Sequence, residues 1–473
     1  MSITASNTAK RDFTSGPIFS RLFLFSLPLM LSGLLQVCYD MADKIVVGRY
    51  ASDPNALAAV GCTSIISTCL INFALGFSAG AGVIVAQHFG AKDEKRLTKS
   101  IHTSILLAVI AGVFLATVGL VFSNPILKMM DTKEELFDNA LLYLRIICIG
   151  IPGNLLYNFG SSVLRSIGDS KSSLYILSFS GLINVLLNLV FVIGCGMTVD
   201  GVALATIISQ YTSAILVIIV LMRQPSVMRL SLRKLKLDIG ILKSIAKIGL
   251  PAGIQSSLFA LSNLVVTKAF NTFSTSTIHA RTVVQSVDSI VVTLITSYTR
   301  SAMAFTAQNY GAGNLGRIKK VFFYSVIQTT VISVAVSQLI LAFRVPIASL
   351  YLGSHNENID EILAIASDFF KILLNTYFLC GIMDLMSVCL KGIKYAFSTM
   401  LISVLFAIPF RILWVYLVFP YEPFDTANWL MASFSISWVL AIIPYSIMLA
   451  IAWRKLEKRF GRNNSDTTLS EEN

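Results

Sequence analysis

The chain has 473 residues, of which 55% are hydrophobic and 13% charged, and its mean hydropathy is +0.74. These values exclude a set of ordinary soluble domains and indicate a polytopic membrane protein. The net charge of +12 does not indicate a nucleic-acid partner, because the lysine and arginine residues lie in short loops between apolar segments, where membrane topology explains them.

Twelve apolar segments follow one another along the chain, each long enough to cross a hydrocarbon core of about 30 Å as a helix. The predicted fold is therefore all-α, with the lipid bilayer as its solvent. A transmembrane barrel would instead alternate in segments of about ten residues. The predicted spans are 18–46, 56–88, 100–122, 140–164, 172–195, 201–222, 241–270, 282–308, 321–343, 366–390, 397–419 and 429–453.

Charge in the loops predicts the orientation. Lysine and arginine cluster in the connections after the second, sixth and eighth spans and near both termini, whereas the loops after the third, ninth and eleventh spans carry acids. The positive-inside rule then places both termini in the cytoplasm. We expect a monomeric, multi-pass protein of the cell inner (cytoplasmic) membrane.

An internal repeat divides the chain into six spans plus six. AQHFGAKDEKR at 86–96 recurs as AQNYGAGNLGR at 307–317, and SLPLMLSGL from Ser26 resembles GLPAGIQSS from Gly249, with offsets of 221 and 223 residues. An even number of spans in each half predicts a parallel repeat of two pseudo-symmetric six-helix lobes. The predicted parts are a cytoplasmic N-terminal segment (1–17), an N-terminal lobe (18–222), a cytoplasmic linker (223–240), a C-terminal lobe (241–453) and a cytoplasmic tail (454–473).

Each lobe has a proline in its first span, Pro28 in one and Pro251 in the other. A proline removes one backbone hydrogen bond from a helix and can kink it. Both are therefore hinge candidates for alternating access, although a static kink that only shapes packing explains either one equally well.

Two carboxylates, Asp40 and Asp43, lie near the far end of the first span. Three residues apart, they share one helix face, and an acid in the membrane centre costs roughly 2.5–3.5 kcal/mol. Two such groups are expected to share one proton near neutral pH, which would make them a protonation switch. The alternative is that Asp43 lies at the outer interface and pairs with Lys44 or Arg49.

Three polar residues of the N-terminal lobe could join these acids. Asn184 and Asn188 are one turn apart in the fifth span, and Thr206 lies in the sixth. Such groups usually face the bundle interior, where they can simply hold helices together. Near the aspartates they become candidate hydrogen-bond partners, so the predicted ion-coupling set is Asp43, Asp40, Asn184, Asn188 and Thr206.

The C-terminal lobe has its own set of intramembrane polar residues, a candidate substrate or ion site. The set comprises Gln255, Asp288, Arg300, Asp384 and Arg411. Asp288 and Asp384 have no basic residue within one turn, so each is expected to pair across helices or to titrate, and a static pair of Asp384 with Arg411 is the plainer alternative. Four further cations near span ends are expected to snorkel to the surface: Lys268, Arg281, Arg145 and Lys371.

The sequence lacks the motifs of other functional classes. The four histidines show no ligand spacing, so no metal site is predicted. There is no phosphate-binding GxxxxGK[ST] loop, nucleophile elbow or HExxH motif, which argues against an enzyme and against an ATP-driven pump. We expect no cofactor apart from a coupling ion, H⁺ or Na⁺.

At several motifs the sequence resembles the multidrug and toxic compound extrusion (MATE) transporters. They are YDMADKIVVGR from Tyr39, the paired VAQHFGAKDEKR from Val85 and TAQNYGAGNLGR from Thr306, LRSIGDSKSS from Leu164 and RILWVYL from Arg411. The resemblance implies twelve helices in two V-shaped lobes and cation-coupled export of bulky, often cationic, amphipathic compounds. It also implies that Asp43, Asn184 and Thr206 belong to a proton- or sodium-responsive network.

The sequence departs from the family pattern at two places. Many relatives carry Asp where Asn188 stands and Asn where Asp40 stands, which implies that Asp40 replaces the missing acid of the fifth span. The usual Gly-x-Gly after the tenth span is altered to KGIK at 391–394.

The expected function is that of a cation-coupled antiporter exporting small-molecule drugs. One alternative is a flippase for a lipid-linked precursor, which would need a strongly basic central cavity, whereas the intramembrane residues here mix both signs. A membrane receptor or scaffold without transport is a third class, disfavoured by the repeat and the buried acids.

Overall fold

The computed structural model describes residues 11–50, 56–130, 132–225, 227–352 and 358–471, and within these ranges the regular structure is helical throughout. Eleven of the helices are long and apolar enough to cross a membrane, or twelve if one bent pair counts as a span. The all-α, multi-span fold predicted from hydropathy is therefore confirmed.

The helices of the first half carry the labels α1 to α7. They are α1 (Ile18–Tyr50), α2 (Ala56–Gly90), α3 (Glu94–Met129), α4 (Glu134–Ser166), α5 (Ser170–Asn188), α6 (Val199–Met222) and α7 (Ile239–Phe270). A wider π-helical turn, Leu189–Gly194, continues α5, and a single 3₁₀ turn, Leu232–Lys234, precedes α7.

The second half contains α8 to α15. They are α8 (Thr275–Gly311), α9 (Leu315–Ala342), α10 (Arg344–Tyr351), α11 (Ile359–Leu374), α12 (Tyr377–Gly392), α13 (Ala396–Ile402), α14 (Ile408–Leu413) and α15 (Ala427–Glu471). Two π-helical turns, Ser403–Ala407 and Trp414–Val418, flank α14 and join these pieces into one span. Pro409 follows the first of them, where its missing N–H interrupts the regular bonding.

The predicted tenth span is not one straight helix, because α11 and α12 meet at a bend of 41°. Two side chains at the break donate hydrogen bonds to backbone carbonyls in the last turn of α11. The Thr376 hydroxyl donates to the carbonyls of Ile372 and Leu373, and the Asn375 amide donates to that of Lys371. Bonding of this kind bends or ends a helix, which explains the departure from the predicted continuous span.

The chain forms two compact units, one of residues 11–13 and 25–260 and one of 14–24 and 261–471 within the described ranges. In the first unit α4 packs against α2, α3 and α6, and α5 packs against α6. In the second unit α12 packs against α8, α9 and α15. Corresponding spans thus have corresponding neighbours, as an internal repeat requires. The predicted lobe boundary at 223–240 stays a prediction.

The repeated motif gives the same backbone in both halves. After α2, Lys92 has φ +55° and the N–H of Asp93 bonds to the His88 carbonyl. After α8, Gly313 has φ +69° and the N–H of Asn314 bonds to the Asn309 carbonyl. Asp93 and Asn314 then cap the next helix by accepting from the backbone three residues on.

A second pair of turns matches in the same way. Gly168 after α4 has φ +81°, and Lys394 after α12 has φ +73°. The N–H groups of Asp169 and Tyr395 each bond to a leucine carbonyl five residues back. The altered KGIK segment therefore keeps the left-handed turn, with a lysine where the first half has glycine.

The connection between α6 and α7 is docked along α3 rather than free. Its contacts with α3 are Thr98 Oγ1 to the Val227 carbonyl (2.9 Å), Ser231 N to His102 Nε2 (3.1 Å) and Lys99 Nζ to Asp238 Oδ2 (3.0 Å). Met228 and Leu230 lie buried in the adjoining apolar core. Since hydrogen bonds and burial both hold this segment, it is part of the first unit.

Glycines let α2 and α7 approach closely within the first unit. A Cβ at Gly76 would lie 2.4 Å from the Ala252 carbonyl oxygen, and one at Gly80 would lie 2.6 Å from that of Ile245. Helices pack this tightly only where small residues face the partner. The contact positions the early part of α7, which includes Pro251.

Candidate functional site

The fifth-span asparagine meets the first-span acid. Asn188, the last residue of α5 and fully buried, donates Nδ2 to Asp43 Oδ1 and, at 3.4 Å, to Asn184 Oδ1. Asp43 is half-buried on α1. The structure thus brings together three residues of the predicted ion-coupling set, Asp43, Asn184 and Asn188.

Asp40 lies one turn before Asp43 on the same helix and accepts a hydrogen bond from Gln36 Nε2 at 2.9 Å. In the described part of the chain, Asn188 bonds to Asp43 and Asn184 and not to Asp40. The side chains of Lys44 and Arg49, the alternative partners of Asp43, lie outside the described part.

Tyr39 fixes the register of α1 against α5. Its hydroxyl donates to the Ser178 carbonyl at 3.2 Å, and its ring lies against Gly181, where a Cβ would come within 1.9 Å of the ring. Any larger residue at 181 would force the Tyr39 ring, or the helix that carries it, to move. This contact sets Asp43 opposite Asn188.

Sequence reasoning missed Tyr143. This α4 residue lies close enough to Asp43 and Asp40 to interact with both charges. A tyrosine in an apolar span gives no signal by itself, because aromatic residues there are ordinary packing or lipid-facing groups.

Thr206 stands apart from these residues. Its hydroxyl donates to the Val202 carbonyl on its own helix at 2.9 Å, and among the described residues it makes no hydrogen bond to Asp43 or Asn188. Its predicted place in the coupling network stays a prediction.

The cluster around Asp43 can hold a proton or a small hard cation. It presents oxygens of Asp43, Asn184 and Asn188, and the Oδ1 of Asn188 is buried without a hydrogen-bond partner among the described residues. Carboxylate and amide oxygens are the ligands that hard cations prefer. The described residues contain no group of three or more His, Cys, Asp and Glu side chains arranged for a metal ion.

In the second unit, Asp288 pairs on its own helix. Arg281 Nη1 lies 3.8 Å from Asp288 Oδ2, two turns away along α8, and Tyr377 of α12 interacts with the same carboxyl group. The prediction that Arg281 snorkels is wrong, since only 7% of it is exposed. The rings of Phe270 and Phe434 cover its guanidinium, at 5.5 and 5.6 Å from their centroids.

Asp384 does pair across helices, with a neutral partner. It accepts a hydrogen bond from Thr299 of α8 and forms no ion pair with Arg411, so the static Asp384–Arg411 pair is wrong. Arg411 is buried and donates to Asn263 Oδ1 at 2.6 Å and to Ser437 Oγ at 2.9 Å.

One face of α12 carries the predicted site residue Asp384 together with two polar residues that were not predicted as part of a site, Tyr377 and Lys391. Tyr377, Asp384 and Lys391 recur every seven residues, and Lys391 is 9% exposed and close to both Asp384 and Arg300. The seven-residue spacing was a signal available in the sequence, because it places the three side chains along one face.

The remaining predicted residues fall in other places. Gln255 is buried on the part of α7 that belongs to the first unit. Pro28 lies inside α1 and Pro251 inside α7, the two helices in which the chain passes between units. Pro28 leaves the Leu24 carbonyl without its helical donor, immediately before the division at residue 25. The hinge role of both prolines stays a prediction.

Fold and sequence together define the class: a multi-pass, all-helical membrane protein built from a duplicated six-span half, with polar clusters inside its apolar helices. The sequence model of the MatE family matches the chain twice, over residues 28–190 and 251–417, and each match begins at the helix proline. The chain belongs to this family, the MATE transporters.

Relatives agree with that assignment. The chain is 30% identical over 382 residues to a probable multidrug resistance protein, YoeA, of Bacillus subtilis, covering 79% of this chain and 81% of that protein. It is 28% identical over 254 residues to the multidrug export protein MepA of Staphylococcus aureus, covering 54% and 56%. A crystal structure of a MATE protein in complex with MaL6 superposes with a TM-score of 0.86 at 20% identity, covering 94% of this chain and 98% of that one, which shows the shared fold.

Proposed function

We propose that this chain is a cation-coupled antiporter that exports drugs and other bulky amphipathic compounds, many of them cationic, across the cytoplasmic membrane. The names of its relatives, a multidrug resistance protein and a multidrug export protein, support export of several compounds. The basic connections support an orientation with both termini in the cytoplasm.

The observation that carries the proposal is the contact between Asp43 and Asn188. An ionised Asp43 accepts the Asn188 amide, whereas a protonated Asp43 gains a donor of its own and can turn it toward the partnerless Oδ1 of Asn188. A sodium ion would instead draw both oxygens to itself. Either cation changes the contact that joins α1 to α5.

That change can reach the rest of α1. Pro28 lies fifteen residues before Asp43 on the same helix, and the backbone there lacks one hydrogen bond that would resist bending. Binding of the cation from outside would reposition α1, reshape the first unit and release the substrate. A unit charge moving across 100 mV supplies about 2.3 kcal/mol, enough for modest accumulation.

The test is transport in proteoliposomes containing the full chain, with ethidium as the substrate. An imposed pH gradient is compared with an imposed sodium gradient of equal size, and the gradient that drives ethidium movement identifies the coupling ion. Asp43→Asn should abolish gradient-driven movement while the protein stays folded.

A matched control is Asp200→Asn. Asp200 belongs to the same unit, and among the described residues its carboxylate accepts hydrogen bonds from Thr198 alone, at the start of α6. Asparagine can still accept those bonds. This variant should transport like the wild type. Gradient-driven transport that survives Asp43→Asn, or is lost equally in both variants, would contradict the proposal.

A further inference from the structure

The connection between α6 and α7 (residues 227–238) has a buried side and an exposed side. Met228 and Leu230 are buried in the apolar core that the first unit forms with α3. Leu232, by contrast, is 51% exposed. The basic side chains of this segment are all exposed, and they are Arg229, Arg233, Lys234 and Lys236. The connection therefore presents a cationic surface that also contains an apolar side chain.

The charge of this surface has little compensation from the protein itself. Asp238 is the one acid in residues 227–238, and it is paired with Lys99 of α3 at 3.0 Å. In the part of the chain that the structure describes, none of the four exposed cations takes part in an ion pair. Exposed cations are stable without a partner because water solvates them. Where the surface lies in the membrane therefore decides what it can bind.

The connection lies at the depth of the lipid headgroups. On α3 the segment 105–122 contains no charged side chain, and at about 1.5 Å per residue it spans roughly 27 Å, close to the thickness of a hydrocarbon core. The side chains that hold the connection, Thr98, His102 and Thr103, come directly before this segment. They therefore lie where the hydrocarbon core ends and the headgroups begin.

The face of α3 that holds the connection is exposed farther along the helix. Val109 follows His102 by seven residues, and Phe114 follows Thr103 by eleven, spacings that keep each pair within about 20° of one another around a helix. Val109 is 40% exposed and Phe114 is 65% exposed. Side chains exposed at this depth of a membrane protein face lipid tails. The connection therefore lies on the lipid-facing side of α3.

Anionic phospholipids match both the charge and the apolar character of this surface. A guanidinium binds a phosphate through two parallel hydrogen bonds, and an ammonium binds it as a point charge. Clusters of basic residues beside a membrane helix attract anionic lipids. Leu232 and Ile239, 51% and 64% exposed, can insert among acyl chains as the apolar residues of interfacial segments do. A soluble anion would gain nothing from these two side chains.

We propose that residues 229–239 form a binding surface for anionic phospholipids of the adjoining leaflet. The headgroup phosphates bind to Arg229, Arg233, Lys234 and Lys236, and the acyl chains contact Leu232 and Ile239. The bound lipid holds the connection at the membrane surface beside α3. This inference does not depend on the proposed export function, because it needs only the position of the connection at the edge of the hydrocarbon core.

Lipid binding to the detergent-purified full-length protein tests this surface. Native mass spectrometry measures dissociation constants for dioleoylphosphatidylglycerol, which is anionic, and for dioleoylphosphatidylcholine, which is zwitterionic and has the same acyl chains. The double variant Arg233→Gln, Lys234→Gln should weaken phosphatidylglycerol binding about 10- to 30-fold, because each basic residue contributes about fivefold near an anionic surface. Its binding of phosphatidylcholine should stay within about twofold, since that lipid has no net charge.

A matched control removes the same charge at the opposite end of α3. Lys128 and Lys133 are exposed, and Lys133 is followed in sequence by the acids Glu134 and Glu135. The double variant Lys128→Gln, Lys133→Gln should therefore leave phosphatidylglycerol binding within about twofold. If the Arg233, Lys234 variant does not fold, the single variant Lys236→Gln decides, with an expected weakening of about fivefold.

A variant that keeps every charge separates a lipid from a soluble anion. Leu232→Ser, Ile239→Ser should weaken phosphatidylglycerol binding about 3- to 10-fold through loss of apolar contact. Unchanged binding in this variant would overturn the assignment to lipid and leave a soluble polyanion as the partner. Phosphatidylglycerol binding that is no weaker in the variants of the connection than in the Lys128, Lys133 control would overturn the surface altogether.

Discussion

Asn188 donates its side-chain amide to the carboxylate of Asp43, so the first and fifth spans meet through a polar contact inside an apolar bundle. An asparagine in this position differs from an acid in one respect: it can donate to an ionised carboxylate without adding charge.

Asn188→Leu should destabilise the protein. The substitution leaves half-buried Asp43 without its amide donor, and an unpaired buried group costs about 1–3 kcal/mol. The melting temperature of the detergent-purified protein should fall clearly below that of the wild type. Asn184→Leu should cost less, because within the described ranges the hydrogen bonding of the Asn184 side chain is limited to a long contact of 3.4 Å with Asn188. An equal or larger loss with Asn184→Leu would contradict this account.

Asp40→Asn should impair gradient-driven ethidium transport if Asp40 replaces the acid that relatives carry in the fifth span. The fold should survive, because asparagine can still accept the bond from Gln36. Adding Asn188→Asp should partly restore transport, since it returns a second carboxylate beside Asp43. Asn188→Asp alone crowds three acids and should lower the melting temperature. If the double variant transports no better than Asp40→Asn alone, the hypothesis that Asp40 replaces the fifth-span acid is refuted.

Lys92→Gly should raise the stability of the protein, because Lys92 has a left-handed backbone with φ +55°. The strain there is about 1–2 kcal/mol, partly offset by the greater freedom of glycine in the unfolded chain, so a net gain of about 0.5–1 kcal/mol is expected. The reciprocal change Gly313→Lys should cost a similar amount.

The control for this pair is Lys95→Gly, in the first turn of α3, where glycine should lower the stability because it is a poorer helix former than lysine. Melting temperatures of the three variants check the prediction. Shifts of the same sign in Lys92→Gly and Lys95→Gly would show that backbone strain at residue 92 does not contribute.

Asp238, in the connection before α7, predicts a pH effect outside the membrane. A hydrogen bond from Lys99 lowers the pKa of Asp238 below its usual 3.8. A carboxyl group with a depressed folded-state pKa stabilises the fold above its unfolded pKa and loses that contribution as the pH falls through the folded value. The loss therefore belongs below about pH 4.

The melting temperature should fall more steeply between pH 5 and pH 3 in the wild type than in Asp238→Asn, which can still accept the cap bond from Ile241 N. The difference should be small, because the pair is exposed to solvent. In a Lys99→Met background, the substitution Asp238→Asn should no longer change how the melting temperature depends on pH. If the melting temperature falls more steeply on acidification in Asp238→Asn than in the wild type, ionised Asp238 does not stabilise the fold.

The spans and the repeat could be predicted because they depend on properties carried by each segment itself: continuous apolar length, charge in the loops, and two motifs at nearly equal offsets. The bend between α11 and α12 was missed because it depends on hydrogen bonds from the side chains of Asn375 and Thr376 to particular backbone carbonyls of α11. Mean hydropathy over a segment contains no information about such hydrogen bonds.

The site was only partly predictable. The period of α5 placed Asn184 and Asn188 on one face, and the structure joins that face to Asp43. Arg281 was misassigned because the rings that bury it come from α7 and α15, far along the chain. Tyr143 was missed for the same reason, since only the packing of α4 brings it to the acids.

The two matched pairs of left-handed turns described above can guide engineering of this protein. Each half has one glycine and one lysine there, in opposite order: Lys92 and Gly168 in the first, Gly313 and Lys394 in the second. At each pair of corresponding turns, one half therefore has glycine, which adopts a left-handed backbone without strain, where the other half has lysine. The double variant Lys92→Gly, Lys394→Gly would have glycine in all four of these turns, and we expect it to be a more stable protein for crystallisation.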